Sequence, residues 1–179
     1  MTHEIGDIPW ATEWNHDGSQ IVSITKNKKM QIFDPRQTAS ALETQAHGGI
    51  KAQRIKWLGS KRPNLLCSFG FSEFNDRQYA IWDTRNFAEP LVMKKLDNRA
   101  CIGWLHWDGD TNIMYVINKG MALTDYFYYN EDKGQPNLKI IDTYKGDGEV
   151  HGMGFIPKRQ VNFMESEVNR GIRYTKTSA

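Results

Sequence analysis

The chain has 179 residues, of which 39% are apolar and 25% charged, a composition that excludes intrinsic disorder. Its 23 Lys and Arg nearly cancel its 21 Asp and Glu, so the net charge of +2 excludes a field strong enough to signal nucleic acid by itself. No apolar run approaches the roughly 20 residues needed to cross a bilayer, and no transmembrane segment is expected.

Aromatic residues make up 12% of the chain and favour strands, where flat rings pack on a pleated face. Short apolar runs ending in turn residues predict the following strands in order. The first unit offers Ala11 to Trp14, Ile21 to Thr25, Met30 to Asp34 and Ala39 to Gln45. The second offers Arg54 to Leu58, Leu65 to Phe69, Tyr79 to Asp83 and Leu91 to Leu96. The third offers Cys101 to His106, Asn112 to Ile117, Thr124 to Tyr128 and Leu138 to Thr143. Gly152 to Ile156 opens a fourth unit, and Val161 to Val168 is the one candidate helix.

The units repeat. Phe33-Asp34-Pro35-Arg36 and Trp82-Asp83-Thr84-Arg85 both read aromatic, Asp, spacer, Arg, and their aromatics lie 49 residues apart. Trp14 and Trp57 lie 43 apart. Such spacing fits propeller blades of about 40 to 50 residues. The second unit also carries His47 before Gly48, Ser68 in its second strand, Asp76 in a hairpin turn, and Trp82-Asp83 ending its third strand. This set resembles the WD repeat, in which Trp, Ser or Thr, His and Asp form a buried hydrogen-bond relay. The resemblance assigns those roles to Trp82, Ser68, His47 and Asp76, as architecture rather than a Ser-His-Asp catalytic set, since no oxyanion-type glycine motif follows Ser68.

The resemblance narrows to the coronins, a family of actin-associated WD-repeat propellers. It rests on Gly70-Phe71-Ser72, Arg77-Gln78-Tyr79-Ala80-Ile81-Trp82-Asp83, Glu89-Pro90-Leu91 and Asp110-Thr111-Asn112. It rests also on Gly152-Met153-Gly154-Phe155-Ile156-Pro157-Lys158-Arg159 followed by Val161-Asn162. The third unit departs from the WD pattern, with Thr124-Asp125-Tyr126 in its third strand.

The fold this implies is all-β: about three and a half four-stranded antiparallel blades of an expected seven. Residues 1–160 hold the blades, with units near 10–46, 47–97 and 98–147, and 150–179 begins the closing blade. Residues 161–179 are expected to be a truncated C-terminal extension. The first three or four blades of a coronin, its basic actin contact on the first blade and its coiled coil would lie outside this sequence. Open blade faces would then favour association.

The function implied is non-catalytic binding of actin filaments, with the branching complex of actin-related proteins as a further partner and the cytoplasmic cytoskeleton as location. Cys67 and Cys101, isolated from one another, agree with a reduced compartment. The alternative is a generic WD-repeat scaffold for a non-actin partner. Candidate contacts are the loop cations Lys28 and Lys29, Lys61 and Arg62, and Lys158 and Arg159, because actin filaments are acidic. The same cations equally serve to solvate hairpin tips, and Lys158 and Arg159 to fasten the closing blade.

No cofactor is expected. Gly146-Asp147-Gly148 lacks the dinucleotide spacing and a following helix. In the calcium-like run Asp108, Asp110, Asn112, Ile113 stands where Gly is needed and Lys119 where Glu is needed. The five His residues show no metal-ligand spacing.

Overall fold

The computed structural model describes residues 4–37 and 40–176. Its strands form three four-stranded antiparallel sheets and one two-stranded sheet, each sheet ordered as the chain runs. The first sheet is β1 (Pro9–Trp14), β2 (Ile21–Thr25), β3 (Lys29–Phe33) and β4 (Ser40–Gln45). Ala39, expected to begin the last of these strands, lies outside the described residues. The second is β5 (Arg54–Trp57), β6 (Leu65–Phe71), β7 (Arg77–Asp83) and β8 (Val92–Asp97). The third is β9 (Trp104–Asp108), β10 (Ile113–Ile117), β11 (Leu123–Asp132) and β12 (Gln135–Lys145). The last pairs β13 (Val150–Phe155) with β14 (Gly171–Thr175).

The innermost strands β1, β5, β9 and β13 lie side by side, so the sheets stack face to face around them. Burial follows from that stacking. The second sheet is covered on both faces, so β6 is buried almost end to end and reads as a mainly apolar run, broken by Ser68, rather than an alternation. Leu66, with Trp82 and Ala80 of β7, packs toward Val22, Ile24, Met30 and Ile32 of the first sheet. Cys67, Phe69 and Phe71 point the other way, toward Met114, Val116, Phe127 and Tyr129 of the third. Trp57 is 4% exposed against the first sheet, whereas Trp14, its repeat equivalent on β1, is 52% exposed.

The repeated aromatic-Asp-x-Arg signature is a clamp that ends a strand. Asp34 Oδ1 accepts from the Arg36 backbone N–H at 2.9 Å and from its Nε at 2.8 Å. Asp83 Oδ1 holds Arg85 in the same way, at 2.9 Å for both bonds. The carboxyls of Asp34 and Asp83 both sit below the usual range because their arginines donate to them.

Three expectations need correction. The stretch 161–168 is no α-helix: it holds a single 3-10 turn, Phe163–Glu165, with a second, Lys158–Gln160, just before it. Asn162 caps the Phe163–Glu165 turn by accepting from Met164 N–H, and Ser166 at φ 58° ends it, leaving no room for a second turn of helix. The strand expected at Cys101 to His106 begins at Trp104. The hairpin of β11 and β12 is much longer than expected, because Lys133 (φ 51°) and Gly134 (φ 80°) make a tight two-residue turn inside a polar stretch. In addition, residues 171–175 pair with β13, so part of the segment expected as an extension supplies a strand.

Candidate functional site

Two polar clusters are built into the packed sheets. The first starts on β7. Trp82 and Ala80 face Leu66 and Ser68 across the β6–β7 ladder, which brings the indole to the Ser68 hydroxyl. Trp82 Nε1 donates to Ser68 Oγ at 2.8 Å, and His47 Nε2 lies 2.8 Å from the same oxygen. The loop carrying His47 is fixed from inside by Gln53, whose amide donates to the His47 carbonyl at 3.0 Å and accepts its N–H at 3.3 Å.

The fourth member differs from the expectation. Asp76 does not reach His47; its carboxylate pairs with Lys95 at 3.0 Å near the rim. The cause is the turn that holds it, where the Asp76 N–H donates to Ser72 Oγ and the Ser72 N–H donates to the Asp76 carbonyl. Gln78, two residues further on, takes the place, with Nε2 2.9 Å from His47 Nδ1. With that amide donating, the imidazole proton sits on Nε2 and faces Ser68. With a neutral amide in place of a carboxylate, only the Ser68 contact favours an imidazolium, and burial outweighs it. Burial therefore pushes His47 down to about 4. Replacing Gly70 with alanine would place a methyl 2.4 Å from the His47 ring. Gly70→Ala should therefore lower stability by about 1–3 kcal/mol, read as a shifted urea midpoint.

The second cluster was not foreseen. Arg77, wholly buried at the start of β7, donates to Asp97 from Nε (2.9 Å) and Nη2 (2.6 Å), and from Nη2 to Asp125 (3.1 Å). Its Nη1 donates to Asn118. Asp125 also accepts from Arg99 (2.7 Å), Asn118 (3.0 Å) and Thr143 (2.9 Å). Burial raises the Asp125 carboxyl, but these donors outweigh it and hold the group below its ordinary value. The cluster ties the second sheet to the third. The sequence carried one signal of it: Asp125 inside a predicted strand, where a buried carboxylate needs a cation.

The expected contact cations are mostly occupied. Lys61 Nζ reaches the Asp110 carbonyl at 3.5 Å, and Arg62 donates to Asn112 at 2.9 Å while lying 4.1 Å over the Tyr129 ring. Lys158 Nζ donates to the buried Asp108 carboxylate at 2.6 Å. All three converge on the one turn between β9 and β10. Lys29 pairs with Glu43 at 2.5 Å, and Lys28 donates to the Gly48 carbonyl at 2.5 Å. Arg159 is exposed. Among the described residues, no group of three or more His, Cys, Asp or Glu is placed to hold a metal ion. Among them, no helix is long and apolar enough to cross a membrane.

No protein-family model matches the chain. Individual relatives do. Coronin-A of Dictyostelium discoideum is 32% identical over 169 residues, covering 94% of this chain and 37% of the relative. Coronin-like protein crn1 of Schizosaccharomyces pombe is 32% identical over 92% of this chain and 27% of its own length. Coronin-2A of Homo sapiens is 29% identical over 97% of this chain and 32% of its own. The chain thus spans about a third of the length of these curated relatives. The crystal structure of the WD40 domain from Toxoplasma gondii coronin superposes with a TM-score of 0.87 at 26% identity, covering 97% of this chain and 44% of that one. Along nearly its whole length, in sequence and in its stacked four-stranded sheets, this chain is similar to the coronins, a family of WD-repeat β-propellers.

Proposed function

We propose that this chain is a non-catalytic actin-filament-binding module of coronin type that contributes to actin cytoskeleton organisation. The observation that carries the reading is the coronin likeness across 92–97% of the chain, joined to a backbone that superposes on a coronin WD40 domain. Both polar clusters are consistent with a binding role. Each joins or braces sheets, its groups satisfy one another, and they sit in packed interior. The branching complex of actin-related proteins is a second proposed partner, and the cytoskeleton of the cytoplasm the proposed location. Trp14, Ile172 and Tyr174, exposed on the outermost sheets, support association through blade faces.

A WD-repeat scaffold for a non-actin partner is the second reading. It is favoured by one fact: Lys61, Arg62 and Lys158 are bonded within the chain rather than free for an acidic filament. Co-sedimentation separates the two. The full chain, shown to be folded by circular dichroism, is expected to pellet with filaments in a saturable manner that weakens as salt rises. Absence of pelleting at low salt would leave the scaffold reading.

A further inference from the structure

The two ends of the stacked sheets differ in what they leave free. Because β6 runs antiparallel to β5 and β7, the β5–β6 connection at 58–64 and the β6–β7 turn at 72–76 leave opposite ends. At the first end, Lys61, Arg62 and Lys158 are drawn into the β9–β10 turn. At the second end, two large apolar side chains stand in solvent: Ile50 is 80% exposed and Phe74 is 86% exposed.

Neither owes its exposure to an open outer sheet. Both belong to loops of the second sheet, which is flanked by the first and the third. Trp14 and Tyr174, by contrast, lie on the two outermost sheets.

Both loops are also held rigidly. The Ile50 loop is fixed by Gly49 N–H donating to the Phe71 carbonyl at 2.7 Å and by Lys28 on the Gly48 carbonyl. The Phe74 turn is fixed by Ser72 Oγ, which accepts from the N–H of Phe74 at 3.2 Å and of Asp76 at 3.1 Å. The loops touch: a methyl on Gly48 would lie 2.9 Å from Glu73 Cγ. Apolar groups that are exposed and already ordered lose little entropy on contact and make effective interface anchors.

Cations outnumber acids around them. Lys28 and Lys51 flank the Ile50 loop, Lys51 lying 4.7 Å over the Phe71 ring, and Lys26 is exposed in the same turn as Lys28. Of the two nearby acids, Asp76 is paired with Lys95, which leaves Glu73.

We propose that this end, anchored by Ile50 and Phe74 and rimmed by Lys26 and Lys51, is the face that contacts the actin filament. The partner it fits is an acidic protein surface with an apolar cleft. The proposal rests on the actin-binding reading and names its contact face.

The test is filament co-sedimentation of the full chain beside three variants, with thermal melting of each. The double variant Ile50→Ser with Phe74→Ser should bind at least tenfold more weakly at an unchanged melting temperature. Lys51→Glu should also weaken binding, most at low salt, and Lys133→Ala, on the exposed β11–β12 hairpin tip at the opposite end, should bind as the parent does. A parent that pellets together with an equally tight double variant overturns the face while the actin reading stands. A folded parent that does not pellet overturns both.

Discussion

Arg77→Ala is expected to remove a large share of the stability of this chain. Alanine would strip the guanidinium from between Asp97 and Asp125, whose own side chain is 0% exposed, and would leave the Asn118 amide oxygen without that donor. Breaking a buried pair by deleting one partner costs about 3–5 kcal/mol, against a total of about 5–15 kcal/mol for a typical domain. Arg99 continues to neutralise Asp125, at 2.7 Å, which places the expectation nearer the lower figure. Arg77→Lys keeps the charge but loses the fork that serves Asp97 from two nitrogens while reaching Asp125, so it should fall between parent and alanine. Urea unfolding reads all three. A cost below about 1 kcal/mol for alanine would show that the cluster is not what joins the second sheet to the third.

The same cluster explains where sequence reasoning stopped. The strands of the second sheet were legible because their apolar runs and turns are local, and so was the spacing that makes them a repeat. Partners were harder. Its place in the hairpin turn points to Asp76 as the partner of His47, yet the Ser72 bonds fix that turn and Lys95 captures the carboxylate. Gln78 could be found only by knowing that its strand position faces the imidazole. Arg77 joins residues 20, 41 and 48 positions away, a separation no local pattern encodes. The third unit did give a clue, since Asp125 stands inside a strand, where a buried carboxylate needs a cation. The charged loops misled for a related reason: Lys61, Arg62 and Lys158 look solvent-bound in sequence, and only the stacking of neighbouring sheets brings them to one turn. At the C-terminal side, Ile172 and Tyr174 are exposed, so β14 lacked the buried alternation that marks a strand.

Mild acid should destabilise the fold through His47 before the carboxylates titrate. In the folded chain the imidazole is 1% exposed, meets Ser68 and a neutral glutamine, and is pushed down to about 4 by burial. In the unfolded chain it titrates near 6.5. Between those values the unfolded state binds a proton that the folded state does not. Stability is therefore fully present above about pH 6.5 and declines as pH falls toward 4. The loss between pH 7.5 and pH 5.0 is expected to be about 2 kcal/mol from this one group. Burial also pushes His106 down, so it adds to the slope in the same direction, more weakly because it is partly exposed. His47→Gln isolates the contribution: an amide still bonds Ser68 but takes up no proton in this range. The variant should be less stable than the parent at pH 7.5, and the gap should narrow by about 2 kcal/mol at pH 5.0. Parallel pH profiles for parent and variant would mean that His47 is solvated or already charged in the folded chain, and the relay would then not be the dry structure its distances describe.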